Sequence, residues 1–218
     1  MLVGATGLIG RSLLPRLAGS DQYGQVHVLL RRAAPSIEGT AKTICQVVDF
    51  AHLPEPLPTV DDVYIALGTT IKVAGSEAAF RQVDFDFVVN TARAARAAGA
   101  TRIAVVSALG ADTRSMVFYS RVKGEMQAAV SSLGYEAIVF AQPSLLIGDR
   151  AALGQPVRSG EVIATRLLAP MMWMVPKSVR PIEADDVAQA MLNAMLAGRH
   201  GVTTLSSAQM LGSATIPR

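Results

Sequence analysis

Short apolar runs alternate with longer helical segments along this sequence, and this alternation restricts the possible folds more than any other feature. The runs are rich in branched side chains and do not alternate polar with apolar residues, which is typical of parallel strands buried on both faces. They are Val26–Leu30, Ile44–Val48, Val63–Leu67, Ile103–Ser107 and Ala137–Phe140. The segments with apolar residues at helical spacing are Gly10–Ala18, Ser76–Ala98, Tyr119–Leu133 and Asp185–Leu196. This order predicts an α/β fold with a doubly wound parallel sheet and right-handed crossovers.

The length and composition favour one domain with its own core. The chain has 218 residues, of which 50% are apolar and 17% charged, and this composition excludes a disordered protein. We predict a single domain over residues 1–218, in which about residues 144–181 form a small C-terminal lobe on the substrate side. Within that lobe, the methionine-rich run Leu167–Val175 either covers an apolar substrate or completes the core, the more ordinary place for such residues.

The sequence also excludes several classes of protein. The apolar runs are far shorter than the roughly 20 residues that a membrane span requires, so no span is expected. Cys45 is the only cysteine and no signal-peptide pattern precedes the first glycines, so we predict a cytoplasmic protein without disulfides. The histidines His27, His52 and His200 lie far apart, so no metal site is expected. A net charge of +3, scattered basic residues and few aromatics argue against a nucleic-acid surface.

A glycine-rich turn, Gly-Ala-Thr-Gly-Leu-Ile-Gly over residues 4–10, stands between the first strand and the first helix. Gly4 permits a tight turn, Gly7 lets the backbone approach a pyrophosphate, and Gly10 lets the helix pack closely on the strand. Such a triplet can be an ordinary turn, but its position before a helix N-terminus predicts a dinucleotide site. The predicted cofactor contacts are Gly4, Thr6, Gly7, Leu8, Ile9 and Gly10. Because only Met1–Val3 precede Gly4, either the first strand is short or the start codon has been placed late.

The residues after the next strands indicate which dinucleotide binds. An NAD site places a carboxylate after the second strand to hold the ribose 2′-hydroxyl, whereas this sequence has Arg31–Arg32 there. Guanidinium groups match a 2′-phosphate bidentately, so NADP is favoured over NAD, with a solvated strand end as the alternative. Asp49, after the third strand, either accepts a hydrogen bond from the adenine amino group or caps a turn. The fourth strand is followed by three further predicted cofactor contacts, Leu67, Gly68 and Thr69.

Three side chains are candidates for catalysis: Ser107, Tyr119 and Lys123. Tyr119 and Lys123 are spaced i and i+4, so they share one face of a predicted helix, and Ser107 ends the fifth strand. An ammonium group stabilises a nearby phenolate, so Tyr119 could protonate a carbonyl oxygen during hydride transfer, and Ser107 would hydrogen-bond the same oxygen. Tyr119 and Lys123 are also predicted to contact the cofactor. A Tyr-x-x-x-Lys pair alone is often a surface pair, but its combination with the glycine turn predicts an active site.

Several segments together carry a family resemblance. They are Val3–Gly10, Leu67–Thr70 with Val83-Asp84, Ser107–Asp112, Tyr119–Glu125, Gln142–Ser144 and Pro181–Val187. The sequence resembles the atypical, NAD-dependent epimerase/dehydratase-like branch of the short-chain dehydrogenase/reductases, and within it the bacterial relatives of the Tat-interacting tumour-suppressor oxidoreductases. The resemblance implies a Rossmann-type NAD(P)-binding fold and catalytic roles for Ser107, Tyr119 and Lys123. The cofactor positions that it implies are Gly4, Gly7, Gly10, Arg31, Pro143 and Ser144.

Two functional hypotheses follow. The first is an NADP(H)-dependent oxidoreductase of the short-chain dehydrogenase type that acts on a small carbonyl or alcohol. The second is a regulatory NADPH-binding module without turnover, as the resemblance allows; the complete catalytic set favours the first, because a sensor does not need Tyr119. Extended relatives carry a C-terminal nucleotide-sugar domain, whereas only residues 144–218 follow Pro143 here, so no sugar nucleotide is expected. Arg93 and Arg96 would repel a second copy at the helix pair through which many relatives dimerise, so we predict a monomer or a weak homodimer.

Overall fold

Helices and strands follow one another in the predicted alternating order. A computed structural model describes residues 1–34, 37, 41–147, 176 and 178–215. Its strands are β1 (Leu2–Val3), β2 (Val26–Leu30), β3 (Thr43–Val47), β4 (Asp62–Ile65), β5 (Arg102–Val106), β6 (Ala137–Gln142), β7 (Leu146–Ile147), β8 (Ile182–Glu183) and β9 (Gly201–Ser206). Its α-helices are α1 (Leu8–Gly19), α2 (Ile71–Ala74), α3 (Glu77–Arg81), α4 (Phe87–Ala97), α5 (Phe118–Ser131), α6 (Ala184–Leu196) and α7 (Ser207–Met210). A π-helical turn, Gln82–Asp86, joins α3 to α4, and a 3₁₀ turn spans Ser213–Thr215.

Seven of these strands form one parallel sheet in the order β3-β2-β1-β4-β5-β6-β9. The chain builds outward from β1 to β3 and then returns to the other side of β1 with β4, so the strand order reverses between β1 and β4. At such a reversal, the carboxyl ends of the strands open a crevice in which ligands bind. The prediction of a doubly wound, Rossmann-type parallel sheet is confirmed, and it directs attention to this crevice.

The first strand is short but central. β1 has two residues, and Leu2 pairs with Val28 on one side and with Tyr64 on the other. Leu2 and Val3 are both fully buried. Although it is short, this strand is held by hydrogen bonds to β2 and β4 at its two edges and by packing on both of its faces.

Different helix pairs cover the two faces of the sheet. α1 and α6 pack on one face, with Leu13 and Met191 fully buried there, and α4 and α5 pack on the other, with Val88 fully buried. Successive strand residues point to opposite faces, so Ala104 belongs to the first core and Val105 to the second. This two-sided burial explains why the strands read as continuous apolar runs in the sequence.

The predicted long helix and its ends are confirmed in most details. The predicted helix Ser76–Ala98 corresponds to α3, the π-helical turn and α4, and the Ser76 hydroxyl accepts a hydrogen bond from Ala79 N at 3.1 Å as an N-cap. Gly99 follows the helix end with φ of +107°, a left-handed conformation that glycine adopts without strain. The sequence did not predict α2, α7, the β7–β8 pair or β9. The edge strand β9 is largely exposed, so no buried apolar run marks it.

Most of the predicted C-terminal lobe, including the run Leu167–Val175, lies outside the described residues. At its two described ends, Leu146 of β7 pairs with Ile182 of β8. The domain boundaries and the role of the methionine-rich run remain predictions. Within the described part of the chain, no helix is long and apolar enough to cross a membrane.

Candidate functional site

A cleft of about 520 Å³ opens at the carboxyl ends of the central strands, where the strand order reverses. It brings together eleven of the predicted site residues: Gly7, Leu8, Ile9, Leu67, Gly68, Thr69, Ser107, Tyr119, Lys123, Pro143 and Ser144. They come from the glycine turn, the loops after β4, β5 and β6, and α5. Segments far apart in sequence thus line a single crevice.

The three glycines of the turn differ in how much space surrounds them. Gly4 has φ of +87°, and a Cβ atom there would lie 2.5 Å from the Ala66 carbonyl oxygen, while a Cβ on Gly10 would lie 2.0 Å from the Gly4 carbonyl oxygen. Gly7 is different, because a Cβ there would meet only two carbonyl oxygens, Gly4 O at 3.4 Å and Ala66 O at 3.9 Å, which are ordinary contact distances. Gly7 is also the N-cap of α1 and supplies no capping side chain, so the first N–H groups of the helix are available to an anion. Thr6 is exposed in the same turn.

The predicted adenosine-end residues lie outside this cleft. Arg31 and Arg32 directly follow β2 and are exposed, and β2 is the neighbour of β1, so both arginines leave the sheet near the glycine turn. Asp49 is exposed, and its two carboxylate oxygens accept from Ala51 N at 2.9 Å and contact His52 Nδ1 at 3.1 Å. The Ala51 N–H and then His52 lower the pKa of Asp49. Asp49 therefore caps a turn, and its contact with adenine remains a prediction.

Lys123 points into the protein and forms a buried ion pair. Its Nζ lies 2.7 Å from Asp84 Oδ1, with the side chains of Lys123 and Asp84 only 3% and 1% exposed. The other oxygen of Asp84 accepts a hydrogen bond from Thr69 N at 2.9 Å. The expected i, i+4 relation to Tyr119 on α5 is present, but a carboxylate that was not among the predicted site residues neutralises the ammonium group.

Asp84 reaches the cleft floor from the π-helical turn. The extra residue in a π turn changes the direction of the side chains around it, and such turns are frequent at functional sites. A Cβ on Gly68 would lie 3.5 Å from Asp84 Oδ1, so Gly68 covers the ion pair closely. A sequence signal for Asp84 exists: it lies four residues after Phe80 and four before Val88, so it interrupts an apolar helix face with a charge.

The other two catalytic candidates, Tyr119 and Ser107, each contact a neighbouring side chain: an aromatic ring contacts Tyr119 and an amide contacts Ser107. The ring of Tyr119 packs on Phe80 with centroids 5.3 Å apart. Ser107 is 3% exposed, and its hydroxyl oxygen accepts a hydrogen bond from Gln127 Nε2 at 2.6 Å. Gln127 was not predicted, although it follows Lys123 by four residues on the same helix face.

Pro143 and Ser144 connect the cleft to the C-terminal part of the chain. The Pro143 carbonyl accepts a hydrogen bond from Leu109 N at 2.9 Å, and Ser144 N donates to Ser207 Oγ at 2.7 Å. The Ser144 hydroxyl donates to the Arg180 carbonyl. Ser144 thus fixes two backbone segments at the rim. In the described residues, no group of three or more His, Cys, Asp or Glu side chains could hold a metal ion.

Known proteins share both the sequence pattern and the fold. A family model described as NAD(P)H-binding matches residues 4–137. Protein HTATIP2 of Rattus norvegicus is 32% identical over 206 residues, which cover 92% of this chain and 82% of that protein. The mitochondrial protein fmp52 of Emericella nidulans is 30% identical over 210 residues, which cover 92% and 88% of the two chains. The mitochondrial name of this fungal relative leaves the cytoplasmic location of this chain a prediction.

Solved structures give the same fold at low identity. The protein MoeE5 in complex with UDP-glucose and NAD superposes with a TM-score of 0.70 at 16% identity, covering 94% of this chain and 75% of that one. The ADP-L-glycero-D-manno-heptose-6-epimerase of Helicobacter pylori gives a TM-score of 0.69 at 16% identity, with the same coverage. The fold and cleft define a dinucleotide-binding protein of the Rossmann type. The chain belongs to the NAD(P)H-binding family, as an atypical short-chain dehydrogenase/reductase.

Proposed function

We propose that the chain is an NADP(H)-dependent oxidoreductase that transfers hydride to or from a small carbonyl or alcohol. The observation that carries this proposal is the shared cleft: Tyr119 and Lys123 of α5 line the same crevice as Gly7 at the N-terminus of α1. A pyrophosphate on the free N–H groups of α1 leaves the remaining length of the cleft for the nicotinamide end.

The residues of the cleft fit a dinucleotide. The first turn of α1, from Gly7 to Ile9, would hold the pyrophosphate, and the loops Leu67–Thr69 and Pro143–Ser144 would enclose the ribose and nicotinamide. NADP is favoured over NAD because Arg31 and Arg32 follow β2 where an NAD site needs a carboxylate. Arg31→Asp should therefore weaken NADPH binding more than NADH binding in calorimetric titrations. Equal losses for both nucleotides would contradict the NADP preference.

When bound, the nicotinamide supplies or accepts the hydride, and the protein supplies the proton and the hydrogen bonds. Tyr119 would give its hydroxyl proton to the carbonyl oxygen during reduction and take it back during oxidation. Ser107 would hydrogen-bond the same oxygen. Lys123, anchored by Asp84, would contact the cofactor ribose, with its charge partly balanced by the carboxylate.

Tyr119→Phe is the decisive test. The variant keeps the ring that packs on Phe80 but removes the transferable proton, so turnover should fall about 10²–10⁴-fold. NADPH affinity, measured by fluorescence titration, should remain close to that of the wild-type protein. An assay panel of aldehydes, ketones and quinones provides the rates. Undiminished turnover in the variant would refute the role of Tyr119.

A second candidate is a regulatory NADPH-binding module without turnover. The buried pairing of Lys123 with Asp84 favours it, because a paired ammonium has less influence on Tyr119. This candidate predicts that the wild-type protein binds NADPH but reduces no member of the panel, and that Tyr119→Phe changes no measurable property.

We further propose that the protein is cytoplasmic and binds no nucleic acid. We also propose that it is a monomer or a weak homodimer. Arg93 is exposed on α4 and would face its own copy across a two-fold dimer of α4 and α5. Sedimentation at micromolar concentration tests the assembly, and a tight dimer would contradict it. Cell fractionation tests the location.

A further inference from the structure

The Ser107 hydroxyl accepts a hydrogen bond from one amide side chain, which in turn accepts a hydrogen bond from a second. Gln127 Nε2 donates to Ser107 Oγ at 2.6 Å, and Gln142 Nε2 donates to Gln127 Oε1 at 3.3 Å. The two hydrogen bonds run from the end of β6 through α5 to the residue that follows β5. This amide relay, defined by Gln142, Gln127 and Ser107, links the three elements that border the cleft on this side.

The position of Gln127 on its helix gives the amide relay a functional context. Tyr119, Lys123 and Gln127 follow one another at intervals of four residues, so they form a line along one face of α5. The first two line the cleft, and Gln127 is half-buried and bonded to Ser107. A single helix face therefore carries the proposed acid–base group, its ammonium partner and the support for the serine.

The direction of the hydrogen bonds decides what Ser107 can do. A serine hydroxyl has one proton and two lone pairs, and a donor from Gln127 occupies a lone pair and leaves the proton free. A hydroxyl that already accepts a hydrogen bond is also a stronger donor. The oxygen of a carbonyl substrate gains negative charge as hydride arrives, so a donor aimed at it stabilises that transition state.

We propose that Gln127 is a positioning residue that fixes the Ser107 hydroxyl as a hydrogen-bond donor to the substrate oxygen, with Gln142 setting the orientation of the Gln127 amide. This inference rests on the proposed oxidoreductase function. A carboxylate in place of the Gln127 amide would only accept hydrogen bonds, so it would turn the Ser107 proton away from the cleft.

Steady-state kinetics with Gln127→Glu and Gln127→Met test the proposal. Near neutral pH, Gln127→Glu should lower kcat/KM by about 10²-fold, the same loss that is expected for Ser107→Ala, because the donor to the substrate oxygen is lost. Gln127→Met should lower it only ~10-fold, because the serine proton is then unrestrained rather than diverted. NADPH affinity should be unchanged in both variants. Gln22→Glu, at an exposed site in the loop before β2, is the matched control and should have no effect.

The pH profile separates positioning from a merely structural role. At low pH the introduced carboxylate takes up a proton and becomes a donor again, so the activity of Gln127→Glu relative to wild type should rise as the pH falls. The relative activity of Gln127→Met should not change with pH. Equal losses in both variants at every pH would indicate only a structural contact and would overturn the proposal.

A spectroscopic readout makes the hydrogen-bond direction testable without turnover. In ¹⁵N-labelled protein, the side-chain NH₂ resonances of Gln127 are identified by their loss in Gln127→Met. Ser107→Ala should shift one of these proton resonances upfield, because its acceptor is removed. If they shift with Gln142→Leu and not with Ser107→Ala, the amide has the opposite orientation and the proposal is wrong. An inactive wild-type protein with the expected shift would support the hydrogen-bond direction and overturn the proposed function instead.

Discussion

At the scale of single residues, the buried pair of Asp84 and Lys123 combines stability with function. Each charge is nearly inaccessible to water, so removing either one leaves an uncompensated charge in the protein interior. Asp84 also accepts from Thr69 N, which places that loop over the cleft. The pair is therefore both an electrostatic requirement of the fold and the anchor of a residue in the proposed active site.

Asp84→Asn should lower the free energy of unfolding by about 3 kcal/mol, because the Lys123 ammonium loses its only charged partner among the described residues. The asparagine can still accept from Thr69 N, so the loop contact is kept. In the double variant Asp84→Asn/Lys123→Met, no buried charge remains and much of the stability should return. Urea unfolding of Asp84→Asn, Lys123→Met and the double variant measures the interaction free energy of the pair as a double-mutant cycle. Additive losses would show that the two groups do not interact.

The local motifs of this site could be predicted from the sequence, but the ion pair between residues far apart in the chain could not. The glycine turn and the Tyr119–Lys123 spacing were readable because each feature lies within a few residues. The Asp84–Lys123 contact joins positions 39 apart, and nothing in a single sequence specifies such a pairing. The π-helical turn was also hidden, because a helix pattern of apolar residues is nearly the same with or without one extra residue. Asp84 was visible as a charge on an apolar face and as part of the family resemblance, but neither signal identified its partner.

At the scale of structural elements, the contact of α1 with β1 depends on the glycines of the turn in different ways. Gly10→Ala should lower the free energy of unfolding by about 2 kcal/mol or more, because its Cβ would overlap the Gly4 carbonyl oxygen at 2.0 Å and force the helix away from the strand. Gly7→Ala should lower it by only about 0.5 kcal/mol, since its Cβ has room. Its methyl group would instead obstruct the anion site and weaken NADPH binding ~10-fold or more. Chemical unfolding and NADPH titration of both variants separate the two effects.

α1 and α6 are joined by a polar cluster whose contribution should depend on pH. Ser12 donates to Asp185 Oδ1 at 2.5 Å, and Arg16 lies 3.4 Å from Asp185 Oδ2. The Ser12 hydrogen bond first, and Arg16 next, lower the pKa of Asp185 below its ordinary value of 3.8. A lowered pKa means that the stabilisation is complete above about pH 4 and is lost as the pH falls through the folded-state pKa.

Asp185→Asn should therefore lower the melting temperature at about pH 7, and this loss should shrink as the pH falls to about 2.5. The loss should stay below about 1 kcal/mol, because the Asp185 side chain is 56% exposed and water screens the pair. Thermal unfolding followed by circular dichroism at both pH values measures it. Asp21→Asn, at an exposed loop position, is the control for a change of net charge. An equal loss at both pH values would mean that ionisation of Asp185 is not involved.

At the scale of the whole molecule, the two ends of the sheet have separate tasks. The cleft lies at the carboxyl ends of the strands, whereas a partly buried polar network lies at the amino ends of β4 and β5. There Arg102 donates to both oxygens of Asp62, at 2.6 and 3.0 Å, and the Tyr23 hydroxyl donates to Asp62 Oδ2 at 2.6 Å. Burial, and then the hydrogen bond to Asp62, raise the pKa of Tyr23. The Asp62 side chain is 2% exposed, so its charge depends on these partners.

Arg102→Met should test this division of tasks. It leaves the Asp62 carboxylate buried without its guanidinium partner, so the free energy of unfolding should fall by about 3 kcal/mol. The network is at the opposite end of the sheet from the cleft, so NADPH affinity measured well below the melting temperature should not change. The double variant Asp62→Asn/Arg102→Met removes both charges and should recover part of the loss. If Arg102→Met weakened NADPH binding in the fully folded protein, the two ends of the sheet would be coupled through β4 and β5, and stability and binding could not be altered separately.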